Sequence, residues 1–430
     1  MVKTPRLSTC TGVPTLLVLT LLSVGCKTRW DTTQHPVRDE ELESAFFSGL
    51  NAVEVPNVAE PSRLRPCCIF ANDAAVSVGS IPVPGYEVRN VLDINDLGTH
   101  TYNNGTLTLQ PLKEGRGIVT DEKSGILYTC RGGFIDIAHV RDNADRTFYL
   151  AAQIGRLPAT GGTVSLADEG AERRIVVRPL DARLVRKYGI REVVTGLAEW
   201  LDFQLSIWHE IATWYRWSST AFSEQPSGFS PEDLYSNLLG LKIAGAVLRH
   251  QAASTEEEYN RRVTAILKDA LTKLGPLPRE ASRFAFEYVD GIWWDSTKRV
   301  PDNQLVRHRN FNIGPTLHPW RLVDAQRSDT LAATIKEYKQ VCGNDLNPLG
   351  LEVPDRLGDV PFREMATLEF RPDETVIKNG FRVPKSGSTV VTPDDFPAVI
   401  EAIMHECDTE LGPGAGSPAA RPNETSRKRG

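Results

Sequence analysis

The sequence predicts an α+β protein: a small N-terminal antiparallel β layer packed on a mainly helical core, with a small mixed region toward the C-terminus. Three observations carry that expectation. Between Arg65 and Thr129 the chain is cut into short β-prone runs, VSVGSIPV, EVRNVLDI, GTLTLQPL and GILYT, separated by glycine, proline and asparagine. Beyond them, long stretches repeat at the helical period of 3.6 residues. Last, a lone strand signal, MATLEFRP, precedes a capped helix, TPDDFPAVIEAIMHECDTELG.

At 430 residues and 40% hydrophobic content, the chain is long enough for more than one core. We divide it into a signal peptide (1–25), a tether (26–60), a mainly helical core domain with an N-terminal β layer (61–330), an α+β C-terminal subdomain (331–411) and a disordered tail (412–430). The leader carries Lys3 and Arg6, then the apolar run Val13 to Val24, then Gly25 and Cys26. That run is shorter than the roughly 20 apolar residues a spanning helix needs, so it reads as a secretory signal. LLSVGC resembles a bacterial lipoprotein processing site. The resemblance implies that Cys26 is the lipidated first residue of the mature chain, anchoring it to a membrane of the cell envelope. Lys27, in place of an aspartate that resembles an inner-membrane retention signal, points to the outer membrane. A plain signal peptide cut nearby is the alternative.

Without residues 1–25 the chain keeps 47 basic against 55 acidic residues, a formal charge of −8, which argues against nucleic acid as a partner. Five cysteines remain after the leader: Cys67, Cys68, Cys130, Cys342 and Cys407. In an oxidising compartment we expect a bridge from the Cys67 and Cys68 pair to Cys130, and as a weaker second one Cys342 with Cys407. A soft-metal site at the vicinal pair is the other reading.

The run GILYT feeds through Cys130 and Gly132–Gly133 into a helix on which Asp136, His139, Asn143 and Arg146 fall within an arc of about 80° at 100° per residue. Val140, Ala144, Phe148 and Ala151 form the neighbouring buried arc. GGTVSLA and RRIVVRPLD then make a hairpin around Asp168 to Ala171. Next comes a helix from Glu192 to Trp217. Its polar residues Glu192, Thr195, Glu199, Asp202, Ser206, His209, Glu210, Thr213 and Arg216 share an arc of about 120°, and nearly all the rest is apolar. Such a helix is covered on several sides, with one narrow polar strip that lines a cleft or is kept by hydrogen bonds.

In FSPEDLYSNLLGLKIAGAVLRH, Ser230 is read as the cap, and Glu232 and Asp233 as acids serving the positive end of the helix rather than chemistry; Tyr235 and Asn237, on the same turn, are left to face a cleft. Gly240, Ala244 and Gly245 predict close packing against another helix. Two more helices follow, Thr255 to Leu274 and Arg279 to Trp294, and then an irregular stretch with His308 and His318, either of which would complete a metal set. His405 and Glu406 form a further pair without a third ligand.

The runs RPCCIF, YTCRGGFIDIAHVRD, WHEIATWY and FSPEDLYSNLLG together resemble a family of bacterial secreted or lipid-anchored proteins of unassigned function. The resemblance covers nearly all the chain after the tether and implies an envelope location, but no catalytic residue.

Three functional readings remain open. The first is a metal-dependent hydrolase with Asp136, His139 and His209 as ligands to zinc or a similar divalent metal and Glu210 as general base toward a bound water. WHEIATW opens like a zinc-protease helix, but Thr213 stands where the second histidine would be. The second is a non-catalytic envelope lipoprotein that binds a protein or lipid partner, its stripes serving only as hydrogen-bonded packing. The third is a thiol hydrolase with Cys130 as nucleophile and His209 as base; TCRGGF resembles the cysteine turn of cell-wall peptidases.

Overall fold

The computed structural model describes residues 56–411 except 63, 66–69, 72–73, 79–80, 89, 105–121, 158–159, 216–226, 251–252, 298–304, 326–335, 337–338, 344–346 and 385–386. Cys26 and the rest of the leader, most of the tether, Cys67, Cys68, GTLTLQPL and the tail lie outside the described residues.

The architecture is α+β. Two separate antiparallel hairpins form the N-terminal β layer. The first joins β1 (Ala74–Val78) to β2 (Ile81–Val88), and the second joins β3 (Ile126–Thr129) to β4 (Gly133–Asp136). Gly133 turns the second hairpin at φ +63°, and a Cβ there would fall on the Trp320 carbonyl, so only glycine fits. Strand β4 sits where a helix is expected to begin. Asp136 ends it in an extended conformation and, as N-cap, accepts the N–H groups of Ala138 and His139, so helix α1 (Ile137–Ile154) starts one residue later.

The hairpin predicted around Asp168 to Ala171 is present as β5 (Gly162–Leu166) and β6 (Ala171–Val177). After the short helix α2 (Ala182–Tyr188) come α3 (Ile190–Trp214), α4 (Asp233–Arg249), α5 (Glu256–Leu274) and α6 (Arg279–Val289). Helix α5 is bounded by a Thr255 side chain accepting Glu258 N–H and by Gly275 in the left-handed region. MATLEFRP forms β7 (Ala366–Pro372), which pairs along all of β6 from Ala366 opposite Val177 to Pro372 opposite Ala171. The last helix, α7 (Phe396–Leu411), follows a Thr392–Asp395 capping box.

Helices α1, α3 and α4 pack mutually and form the centre of the larger hydrophobic core, which includes Phe148, Leu201, Trp208 and Leu238 and runs on into Phe370, Phe396 and Ile403. The predicted small-residue approach is there: a Cβ on Gly240 would land on the Val140 carbonyl, with Val140 Cα at 2.9 Å. A second core under the β3–β4 hairpin gathers Phe70, Phe134, Phe286 and Trp293. Among the described residues no helix is long and apolar enough to cross a membrane.

On the outer side of α1, Asp145 gathers four donors. They are His100 Nε2 at 2.9 Å, Tyr259 Oη at 3.1 Å, Arg65 Nη1 at 3.0 Å and Asn103 N at 3.0 Å. Arg65 also pairs with Asp142 and Glu122, so this buried network fastens the segment before β3 to α1 and α5.

The expected disulfide pairing is corrected. Cys130 bonds to Cys342, with Cα atoms 5.3 Å apart, and Cys407 is a buried thiol in the larger core. The reason is long-range backbone pairing. Leu349 N–H donates to Arg131 O, which brings the segment after Cys342 back onto the β3–β4 turn and so joins two cysteines 212 positions apart.

Candidate metal centre

The two polar stripes do meet. Arg146 on α1 pairs with Asp202 on α3, and Thr147 donates to Asp202 Oδ2 at 2.7 Å. Higher on α3, Glu199 takes both terminal nitrogens of Arg249 at 2.7 and 2.9 Å, and Glu192 takes its Nε. Three acids of the α3 stripe, Glu192, Glu199 and Asp202, are thus spent on ion pairs. Only its last turns, with His209 and Glu210, face the start of α1 and α4.

There, one donor atom each from His139, His209 and Glu210 lies within 4.8 Å of the others, the one such three-member group among the described residues. His139 is 6% exposed and Glu210 is buried, while the His209 side chain is 14% exposed, so the group reaches solvent on the His209 side. The imidazoles meet edge to face at 5.9 Å.

Each histidine is oriented by a partner at Nδ1. Asn237 Oδ1 lies 2.8 Å from His139 Nδ1 and also accepts from Asn143 Nδ2, while Asn237 Nδ2 donates to Glu210 Oε1 at 3.4 Å. That amide can face only one way, so His139 Nδ1 carries the proton and the lone pair is on Nε2. His209 Nδ1 donates to Glu169 Oε1 at 2.6 Å, with the same result. Burial would raise the Glu169 carboxyl, but the Arg173 guanidinium, the His209 hydrogen bond and Arg146 outweigh it and hold the group down at about 2, a permanent anion behind the imidazole. A carboxylate or amide oxygen behind each ring, presenting Nε2 forward, is how metal-binding histidines are commonly supported.

Glu210 is fixed by Phe229 N–H, which donates to Oε2 at 2.9 Å. Phe229 adopts φ +57°, a strained conformation for a bulky residue, and Asn310 and Arg309 pin its loop through Phe229 O and Gly228 O.

Asp136 is close but differently used. Its Oδ1 caps α1, and its Oδ2 lies 3.9 Å from His139 Nε2. Glu210, expected as the base, belongs to the three-member group, whereas Asp136, expected as a ligand, does not. Cys130 is held by Cys342, so its sulfur is not a thiolate, and the thiol-hydrolase reading loses its nucleophile. His318 lies against Gly350 and Glu406 accepts from Trp214 Nε1, so neither joins the centre, nor does His308.

Sequence reasoning missed Glu169, which lies on a turn 40 residues from His209. Glu232 and Asp233 stand at the start of α4 as expected, but the burial of both was not foreseen. Glu232 makes no side-chain cap, and Asp233 accepts Ser230 N–H at 2.6 Å and sits 3.8 Å from His139 Nε2. Burial, the Asp136 charge and the Glu210 charge push the Glu232 carboxyl far up, and burial, Glu210 and Glu232 do the same to Asp233. Tyr235, expected to face a cleft, donates instead to Leu349 O at 2.9 Å. A cavity of 510 Å³ elsewhere, lined by Trp200, Gln204, Arg178, Arg356 and Arg363 among others, includes none of the centre's residues.

Comparison with curated proteins and with solved structures finds no match. A family profile does match, over residues 55–323, a span that holds His139, His209, Glu210, Asn237, Glu169 and the neighbouring acids. The chain belongs to the family described as "Protein of unknown function (DUF4056)".

Proposed function

We propose that this protein is a metal-dependent hydrolase of the cell envelope, with His139, His209 and Glu210 holding a divalent cation such as zinc. The observation that carries the reading is the convergence of these three side chains, with Asn237 and Glu169 bonded at the Nδ1 atoms so that each Nε2 keeps its lone pair. Two imidazoles and one carboxylate leave a fourth position for water, whose pKa a bound zinc lowers to about 7. Asp136, whose Oδ2 lies 3.9 Å from His139 Nε2, would be the nearby carboxylate able to accept a proton beside such a cation. Opening toward solvent at His209 gives substrate its approach. The envelope address rests on the leader and on Cys26 as the lipidated residue.

Protein produced without a polyhistidine tag should retain at least one zinc equivalent per chain by elemental analysis, and His209→Ala should retain less than a tenth of that. Loaded protein should hydrolyse members of a panel of chromogenic esters, phosphoesters and peptides, and lose that activity on chelation. Wild-type protein that stays metal-free after zinc exposure would end the reading. Cells fed labelled palmitate should mark the wild-type chain and not Cys26→Ser; label on neither removes the lipid anchor.

A further inference from the structure

We propose that the cavity between α3, β7 and the turn before α7 binds an uncharged oligosaccharide, with Trp200 and Gln204 in its floor. The proposal is independent of the metal-centre reading, since none of the centre's residues lines this space. Its starting point is an anomaly on α3. Trp200, Gln204 and Trp208 follow one another at four-residue spacing, so they form one stripe along the helix. That stripe lies against β7. Trp208 stacks on Phe370 at 4.5 Å, and Trp200 and Gln204 share the cavity wall with Ala366 and Leu368. Two tryptophans covering a sheet leave room for an apolar residue between them. The chain has an amide there instead, half-buried and without a hydrogen-bond partner among the described residues.

Trp200 repeats the observation. Its side chain is 7% exposed, and its indole N–H has no acceptor among the described residues. The N–H groups of Trp208, Trp214 and Trp294 each have one, at 2.8, 2.9 and 2.9 Å. Buried indole and amide groups ordinarily find partners. These two line a cavity of 510 Å³, inside the range of roughly 300 to 1,000 Å³ in which small-molecule sites fall. A ligand that offers an acceptor to Trp200, and either partner to Gln204, completes both.

The rim decides the charge of that ligand. Arg178, Arg356 and Arg363 line it together with Asp355, Glu364 and Asp394, so the formal charges cancel. Arg356 and Asp355 face each other at 3.7 Å, and Arg178 is steadied by two uncharged acceptors, Arg363 O and Thr367 Oγ1, each at 2.8 Å. An ion of either sign would meet as many like charges as opposite ones. A hydroxyl suits both, because it donates to a carboxylate and accepts from a guanidinium or an amide. A sugar ring carries several hydroxyls around its edge and C–H bonds on its faces, and those faces match the indole of Trp200 and the rings of Pro361 and Pro393 in the same lining. An extended peptide would need an accessible strand edge, whereas β7 is buried here at Ala366 and Leu368.

The test applies the whole mature chain to an array of neutral oligosaccharides built from glucose, galactose, mannose and N-acetylglucosamine, with a set of random pentapeptides on the same surface. Sugars that are retained are then titrated free in solution by tryptophan fluorescence. Wild type should bind at least one neutral sugar with a dissociation constant below about 1 mM. Gln204→Leu and Trp200→Phe should each bind it about tenfold more weakly, the loss of one hydrogen bond. Retention of no neutral sugar overturns the proposal, as does retention of peptides alone or unchanged affinity in Gln204→Leu. Circular dichroism melting shows whether each variant folds, and the wild-type result decides the matter if Trp200→Phe does not.

Discussion

Replacing Gly240 by alanine is expected to destabilise the protein by about 3 kcal/mol and to weaken cation binding at the same time. The added methyl would occupy the place of the Val140 carbonyl, and backbone cannot step aside as a side chain can. Helices α1 and α4 must then move apart where they are closest. Asn237 is three residues earlier on α4, His139 one residue before Val140 on α1, so the 2.8 Å Asn237–His139 hydrogen bond stretches with the helices. Denaturant unfolding and zinc titration together check this. Unchanged stability, or lost stability with unchanged cation affinity, would show that the approach at Gly240 does not set the spacing of the centre.

Asp145→Ala is expected to cost still more, about 4 kcal/mol, because it strips the acceptor from a buried set of donors rather than replacing the set with apolar groups. Arg65, His100, Tyr259 and Asn103 would all lose their common partner. The same network predicts a response to pH. Burial lowers the His100 pKa despite the Asp145 charge, and its Nδ1 has no hydrogen-bond partner among the described residues, as suits a neutral ring protonated at Nε2. The unfolded chain binds a proton at His100 below about 6.5 while the folded one resists. This contribution is therefore present above that pH and lost as pH falls through it. Asp142, which burial pushes up to about 6, acts in the opposite sense, so the comparison must be with His100→Gln, in which only the histidine contribution is gone. Wild type should lose stability relative to His100→Gln between pH 8 and pH 6; parallel curves would mean that His100 is not held neutral.

Much of this was legible in the residues. Period alone placed Asp136, His139, Asn143 and Arg146 on one side of α1 and His209 with Glu210 on the polar strip of α3, and the structure brings those sides together. Gly240 announced a close helix approach, and GGTVSLA with RRIVVRPLD announced the β5–β6 hairpin. What stayed hidden depends on distant segments or on competing local explanations. Glu232 and Asp233 follow a serine and a proline at a helix start, where acids have an ordinary use, and nothing local reveals that they are buried beside two further carboxylates. Glu169 sits on a turn, where polar residues need no explanation. Cys342 carries no sign of the Leu349–Arg131 backbone bond that brings it to Cys130.

The pairing of β7 with β6 has a consequence for how the chain is made. Every residue of the centre leaves the ribosome well before Ala366, yet Trp208, one position from His209, stacks at 4.5 Å on Phe370 of the strand still to come. Until that strand arrives, β6 presents an open ladder of backbone donors and acceptors, with a bare indole nearby, to any neighbouring polypeptide. A chaperone that shields this edge during synthesis or export would guard the metal centre without touching it.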